Sequence, residues 1–225
     1  MAGGKLQMVK AGSRTPTKAI KQYVNKEINK SIETKERNHL YEEQTISNLD
    51  TYPTTLTFTD ISSGRDDNQR VGNELLLTKL QYKLFLHNKS AVDSVVRVVV
   101  VRAKGNITNT NMGYGDKLFK SGNTSVNYTS ATYPQRLAKD IDRTNYTVLS
   151  DKIVKLGALD KSEENNKILR FTKYYKKKKV SYNNQSDSIA TNPIKLMIWN
   201  IDSAMDTNTV QCELTGEIST FYKDA

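Results

Sequence analysis

The sequence predicts an all-β protein, an eight-stranded jelly-roll β-sandwich with a basic amphipathic helix ahead of it. Three observations lead there. From Arg37 onward, apolar residues recur with period two and are rich in β-branched and aromatic types, the signature of half-buried strands. These runs number eight, are separated by Gly, Asn, Asp and Pro clusters, and have no second long helical pattern among them, which favours two stacked antiparallel sheets. Ahead of them, positions 1–37 hold nine Lys or Arg against three Glu, so +6 of the formal net charge of +10 is concentrated at one end.

Taken in order, residues 1–14 are Gly, Lys, Ala and Ser without a period and are expected to be disordered until a partner orders them. A helix is expected next. Thr15 can cap it, Pro16 suits its first position, and Ile20, Tyr23, Val24, Ile28 and Ile32 form one apolar stripe. Lys18, Gln22, Lys26 and Lys30 lie off that stripe. A helix of this length is marginal alone in water, so the stripe needs a surface to cover it: the body of the chain, or the same helix from other copies.

The strands are expected at Arg37–Ile46, Thr54–Thr59, Leu75–Leu86, Val95–Arg102, Tyr146–Leu156, Ile168–Lys178, Ile194–Trp199 and Val210–Phe221. In the third, Leu76, Leu80, Tyr82, Leu84 and Leu86 share one parity while Lys79 and Lys83 take the other, as in a strand with one wet face. The fourth is nearly continuous Val, which predicts a central strand covered on both sides. Gly105–Lys120 and Gly157–Asn166 read as long polar loops. A chain of 225 residues with no low-complexity linker after Arg37 is best divided into a basic arm, 1–36, and one sandwich domain, 37–225.

Several function classes are excluded or weakened by what the sequence lacks. His39 and His87 are the only histidines, and HExxH, CxxC, GxSxG and Walker GxxxxGK[ST] motifs are absent, so the usual metallohydrolase, acyl-transfer and phosphoryl-transfer sites cannot be assembled in standard form. Asp66–Asp67 and Asp140/Asp142 read as turn formers rather than acid–base pairs. The expectation is a non-enzyme. No apolar run approaches ~18 residues and the start lacks the apolar core of a secretory signal, which predicts a protein made and kept inside a cell with no membrane partner. Cys212, the single cysteine, lies in an alternating run and is expected to serve as a small buried hydrophobe.

A pI of about 9.5 points to a polyanionic partner. Two groups of residues are the candidates for holding it: Lys5, Lys10, Arg14, Lys18, Lys21, Lys26 and Lys30 in the arm, and the run Lys176, Lys177, Lys178 and Lys179. That run follows Tyr174–Tyr175, a mixture of charge and rings suited to single-stranded nucleic acid. On a strand, alternate lysines would point inward unless the strand is twisted, at an edge, or continued by a loop. A charged edge that discourages aggregation is the competing reading.

Asp66-Asp67-Asn68-Gln69-Arg70-Val71-Gly72-Asn73-Glu74, leading into Leu75–Leu80, has a Gln-Arg-x-Gly core. Arg143–Lys152 contains an aromatic-x-x-Leu-x-Asp pattern, and Phe171–Asn183 is a Lys-rich segment ending in Tyr-Asn. Together these resemble single-jelly-roll viral capsid proteins, the coat proteins of satellite tobacco necrosis virus and of small circular single-stranded DNA (CRESS) viruses. The resemblance to the satellite type extends to Ile28–Lys35, an Ile-Asn-x-x-Leu-Glu-x-Lys-like stretch, and to the terminal Tyr222-Lys223-Asp224-Ala225.

The resemblance implies a virion protein that assembles with itself into a 60-copy, T=1 icosahedral shell. The basic helix would face inward, bundled with others beside a single-stranded DNA or RNA genome, and assembly would take place in the host cytoplasm or nucleus. It also implies calcium at subunit interfaces, with Glu33 and Asp224 as the matching ligands; ordinary salt bridges at these two residues are the alternative. A cellular β-sandwich module binding nucleic acid or carbohydrate is the competing class. Such a module needs an aromatic platform, and Trp199, the sole tryptophan, sits in an apolar strand that predicts core instead.

Overall fold

A computed structural model of the chain describes residues 18, 20, 23, 33–66, 68–105, 107–161, 164–182, 190–202 and 211–225, with the side chains of 177 and 202 excepted. The chain divides into two units, Met1–Glu33 and Thr34–Ala225. In the first, Lys18, Ile20 and Tyr23 are helical and exposed. The rest of the expected helix lies outside the described residues, as does Val210 at the start of the expected last strand.

The second unit is built on two four-stranded antiparallel sheets. One has the order β1 (Lys35–Ser47), β10 (Gln211–Asp224), β3 (Glu74–Asn88), β8 (Asn166–Ser181). The other runs β2 (Thr54–Thr57), β9 (Ile194–Asp202), β4 (Ser94–Ala103), β7 (Tyr146–Leu156). Among these eight strands, consecutive ones lie in opposite sheets except β4 and β7, which pair, and the last strand returns beside the first; this interleaving is the jelly roll expected from the sequence. All eight expected strands are present, and β7 has the expected limits.

Between the sheets, Leu80, Tyr82, Leu84 and Leu86 of β3 pack with Val96, Val98 and Val100 of β4, Leu196 and Ile198 of β9, and Leu214 and Ile218 of β10. Cys212 belongs to this core, and burial pushes its thiol up to about 12. Gly216 of β10 is required by space as well as by its φ of +150°: a Cβ there would lie 2.2 Å from the Lys83 carbonyl oxygen.

The parity expected for β3 fails at Leu76, which is only partly buried, while Leu75 and Leu77 are fully buried. A bulge is the reason. Pairing with both β10 and β8 skips Thr78, so an extra residue reverses which side chains face inward. The segment Gly105–Lys120, expected as loop, contains the helix α1 (Asn109–Gly113) and the start of β5 (Phe119–Ser121). β5 pairs with β6 (Thr124–Val126), and a second short helix, α2 (Tyr133–Ala138), follows. Five-residue helices and three-residue strands are too short to show a period, so pattern reading passes over them.

These small elements form a lid on the outer face of the second sheet. Ile107, Met112, Leu118, Phe119, Tyr128 and Ile141 pack with Val99 and Val101 of β4 and with Met197, Trp199 and Ile201 of β9 in a second apolar cluster. β4 is therefore buried on both faces, as its run of valines predicts. Trp199 is core, edge-on to Phe119 and Tyr128 at centroid distances of 5.9 and 5.8 Å.

Arg97, the one charged residue within Val95–Val101, fastens the lid. Its Nε and Nη2 donate to the two carboxylate oxygens of Asp151 on β7 at 2.9 and 2.7 Å. Its Nη1 donates to the carbonyls of Arg136, Leu137 and Lys139 at 3.0, 2.9 and 2.8 Å. Those carbonyls end α2 and have no continuing helix to satisfy them. Trp199 Nε1 donates to the same Arg136 carbonyl at 3.2 Å. A bidentate ion pair and three helix-end carbonyls are thus met by one guanidinium.

Arg97→Met is expected to cost about 3–5 kcal/mol, because it leaves Asp151 and the end of α2 without their donor. Denaturant unfolding measures it; a loss below about 1 kcal/mol contradicts the clamp. Cys212 is expected to resist a thiol-specific reagent in the native protein and to react on unfolding, as a buried thiol must.

Candidate nucleic-acid interface

Among the described residues β8 pairs with β3 alone, so the Lys-rich run stands on a sheet edge, one of the three arrangements that accommodate alternating lysines. The strand is also irregular there. Leu77 pairs with Lys178 and Lys79 with Tyr174, so Tyr175–Lys177 bulge opposite Thr78. Lys176 and Lys179 are exposed and Lys178 is half-buried. Lys179 Nζ lies 2.6 Å from Glu74 Oε1, so one of the four charges is neutralised within the chain. Tyr174 is 75% exposed, leaving its ring free to stack.

Among the candidates of the arm, Lys18 is helical and exposed. Lys5, Lys10, Arg14, Lys21, Lys26 and Lys30 lie outside the described residues. Ile20 and Tyr23 present apolar surface at 43% and 67% exposure, in keeping with a stripe that needs covering.

Glu33 is exposed just ahead of β1. Asp224 is engaged inside the sandwich unit. Its Oδ2 lies 3.0 Å from Lys35 Nζ, and its Oδ1 accepts the Val71 backbone N–H at 2.9 Å. The Lys35 ammonium also donates to the Gln69 carbonyl at 2.9 Å. Calcium takes six to eight oxygens, whereas within one chain the Asp224 carboxylate faces an ammonium and an N–H. Among the described residues no group of three or more His, Cys, Asp or Glu is placed to hold a metal.

The Gln-Arg-x-Gly segment proves structural at every position. Gln69 supplies the carbonyl for Lys35, and Val71 supplies the N–H for Asp224. Arg70, 1% exposed, donates from Nε to the Ile61 carbonyl at 3.1 Å and from Nη1 to the Gly72 carbonyl, and stacks 4.0 Å over the ring of Tyr182. Gly72 takes a φ of +83°. Tyr182 donates to the Thr59 carbonyl at 3.1 Å, and burial raises its hydroxyl pKa. Asp142 likewise closes a turn, accepting from Ser125 Oγ, the Thr144 N–H and Asn145 Nδ2.

Reading charge as runs missed the isolated cations Arg102 and Lys104 at the end of β4. These stand beside Lys178 and Lys179 around one crevice of about 270 Å³ between the two sheets. Their signal was available: Val95–Val101 ends in Arg102-Ala103-Lys104, an abrupt change from apolar to basic. Lys195 was missed too. It is buried on β9 with Nζ 3.0 Å from the Asn109 carbonyl, and burial lowers its pKa. No helix among the described residues is long and apolar enough to cross a membrane.

If an ammonium rather than a metal braces Asp224, calcium and a chelator should leave the melting temperature unchanged, while Lys35→Met should cost about 1–3 kcal/mol. A rise in melting temperature of several degrees with millimolar calcium contradicts this.

No protein-family model and no curated protein matches the sequence. Among solved structures, a chain in the crystal structure of the infectious bursal disease virus VP2 subviral particle is similar over 82% of this chain and 32% of that one, at 12% identity and a TM-score of 0.29. This chain thus spans about a third of the length of that one.

Proposed function

We propose that this is a structural capsid protein that assembles with itself into a small icosahedral shell and packages a single-stranded nucleic-acid genome. The observation that carries the reading is a jelly roll with open sheet edges, preceded by a separate unit, Met1–Glu33, that bears half of the chain's net positive charge in about one-seventh of its length. The sequence resemblance to single-jelly-roll coat proteins supports it, as does the structural use of Arg70, Asp151, Tyr182 and Asp224 within that resemblance. In this reading the shell has 60 copies in T=1 symmetry, and the protein works by assembly rather than catalysis.

Sixty copies at +10 bring about +600, enough to offset much of a genome of ~1,000 phosphates, with free cations neutralising the remainder. Contacts to phosphate carry no base identity, so packaging through Lys5, Lys10, Arg14, Lys18, Lys21, Lys26 and Lys30 is independent of sequence. The lysines Lys176, Lys177, Lys178 and Lys179 on the β8 edge add to the same attraction. The product is a virion, with assembly in the host cytoplasm or nucleus.

Electron microscopy of the purified full-length protein tests this. Closed particles holding nuclease-resistant nucleic acid are expected, and deletion of residues 1–36 should give particles without cargo or no particles. A protein that stays monomeric across salt concentrations, with and without nucleic acid, contradicts the proposal.

A further inference from the structure

At one end of the sandwich the sheets part, and the crevice between them takes residues from both. The end of β4 contributes Arg102 and Lys104, β8 contributes Lys178, Lys179 and Ser181, and Asn192 lies just before β9. Lys178 pairs across the ladder with Leu77, a core residue, so its side chain lies on the inward side of the first sheet. A lysine there is tolerated because the space opposite it is open crevice rather than packed core.

Among the described residues, the charges in this crevice are only partly balanced. Lys179 has Glu74, but among the described residues no carboxylate pairs with Arg102, Lys104 or Lys178. Among the described residues, Arg102 reaches the Thr147 hydroxyl at a long 3.4 Å, and Lys104 donates to the Arg143 carbonyl at 2.6 Å. Arg102 also acts electrostatically on Tyr175, whose buried hydroxyl has no hydrogen-bond partner among the described residues. Cations gathered without a counter-charge repel one another, and an anion seated among them removes that cost.

We propose that this crevice is a phosphate-binding site for the backbone of single-stranded nucleic acid, with Arg102 and Lys178 as its principal contacts and Lys104 at its rim. The volume, about 270 Å³, accommodates a phosphodiester group. The planar guanidinium of Arg102 can grip two phosphate oxygens while Lys178 acts as a point charge. Nucleic acid is favoured over a sulfated polysaccharide by Tyr174, whose exposed ring lies on the outer face of the same edge strand, where a single strand crossing the edge can stack a base. The inference rests on the packaging reading and adds to it a fixed contact on the folded shell domain, distinct from the arm.

The test uses the full-length chain, labelled oligothymidylate as probe, and a heparin fragment as competitor. Each phosphate contact in a single strand contributes about 0.7 to the slope of log K against log salt. The Arg102→Gln/Lys178→Gln variant should lower that slope by about 1.4 and weaken binding roughly 25-fold near 0.1 M salt. Should that variant melt early, Lys178→Gln alone carries the test, with an expected slope loss of about 0.7. An unchanged slope and affinity overturn the site, as does a loss confined to heparin. Charge removal in the arm, Lys5→Gln/Lys10→Gln, is measured in parallel. A chain whose binding falls with the arm variant but not with the crevice variant keeps its packaging function and loses this site, whereas a chain that binds no oligothymidylate refutes both.

Discussion

Two-sided burial of β4 is the constraint on which the rest of the sandwich unit depends. A strand covered by the sandwich interior on one face and by the lid on the other has no position for a solvated side chain, and Val96–Val101 meets that demand with valine everywhere except Arg97. Arg97 is tolerated because its charge and all three of its nitrogens are met, by Asp151 and by the carbonyls that end α2. The lid then covers β4 and β9 on the outer face of one sheet, while Ile153 of β7 stays 55% exposed on the same face.

The division between what could be read from the sequence and what could not follows the length scale of each signal. Strands such as β7, with eleven residues, show their alternation plainly and are bounded by turn-forming residues, Asn145 before and Gly157 after. Leu76 misled because parity holds only while the ladder is regular, and the bulge at Thr78 leaves no mark in the sequence. The lid was invisible for the same reason at a larger scale: α1 buries Met112 alone and β5 buries Phe119 alone, so neither shows a stripe. Trp199 was legible as core, but nothing in its strand told which of the two cores it joins.

Charge showed the same pattern. Lysines in a row announce themselves, and the run 176–179 does lie on an edge with a bulge, one of the arrangements that spares such a strand from burying charge. The cations of the crevice, Arg102 and Lys104, come from a different sheet and are 74 or more residues away from Lys178 in the chain, so only the fold brings them together. Conversely, the residues that carried the resemblance to coat proteins do structural work. Arg70 stacks on Tyr182, Lys35 meets Asp224, and Asp151 holds Arg97, so segments far apart in sequence touch in pairs. Motifs of this kind report a fold more directly than they report an activity.

Through β4, lid and sandwich are joined as one cooperative unit. Native-state hydrogen exchange on the full-length protein tests it most directly. Amides of β4 and β9 and those of the buried lid residues Phe119 and Tyr128 should open together, with the free energy of global unfolding. Lid amides that exchange through a much cheaper opening, while β4 stays protected, would contradict the claim.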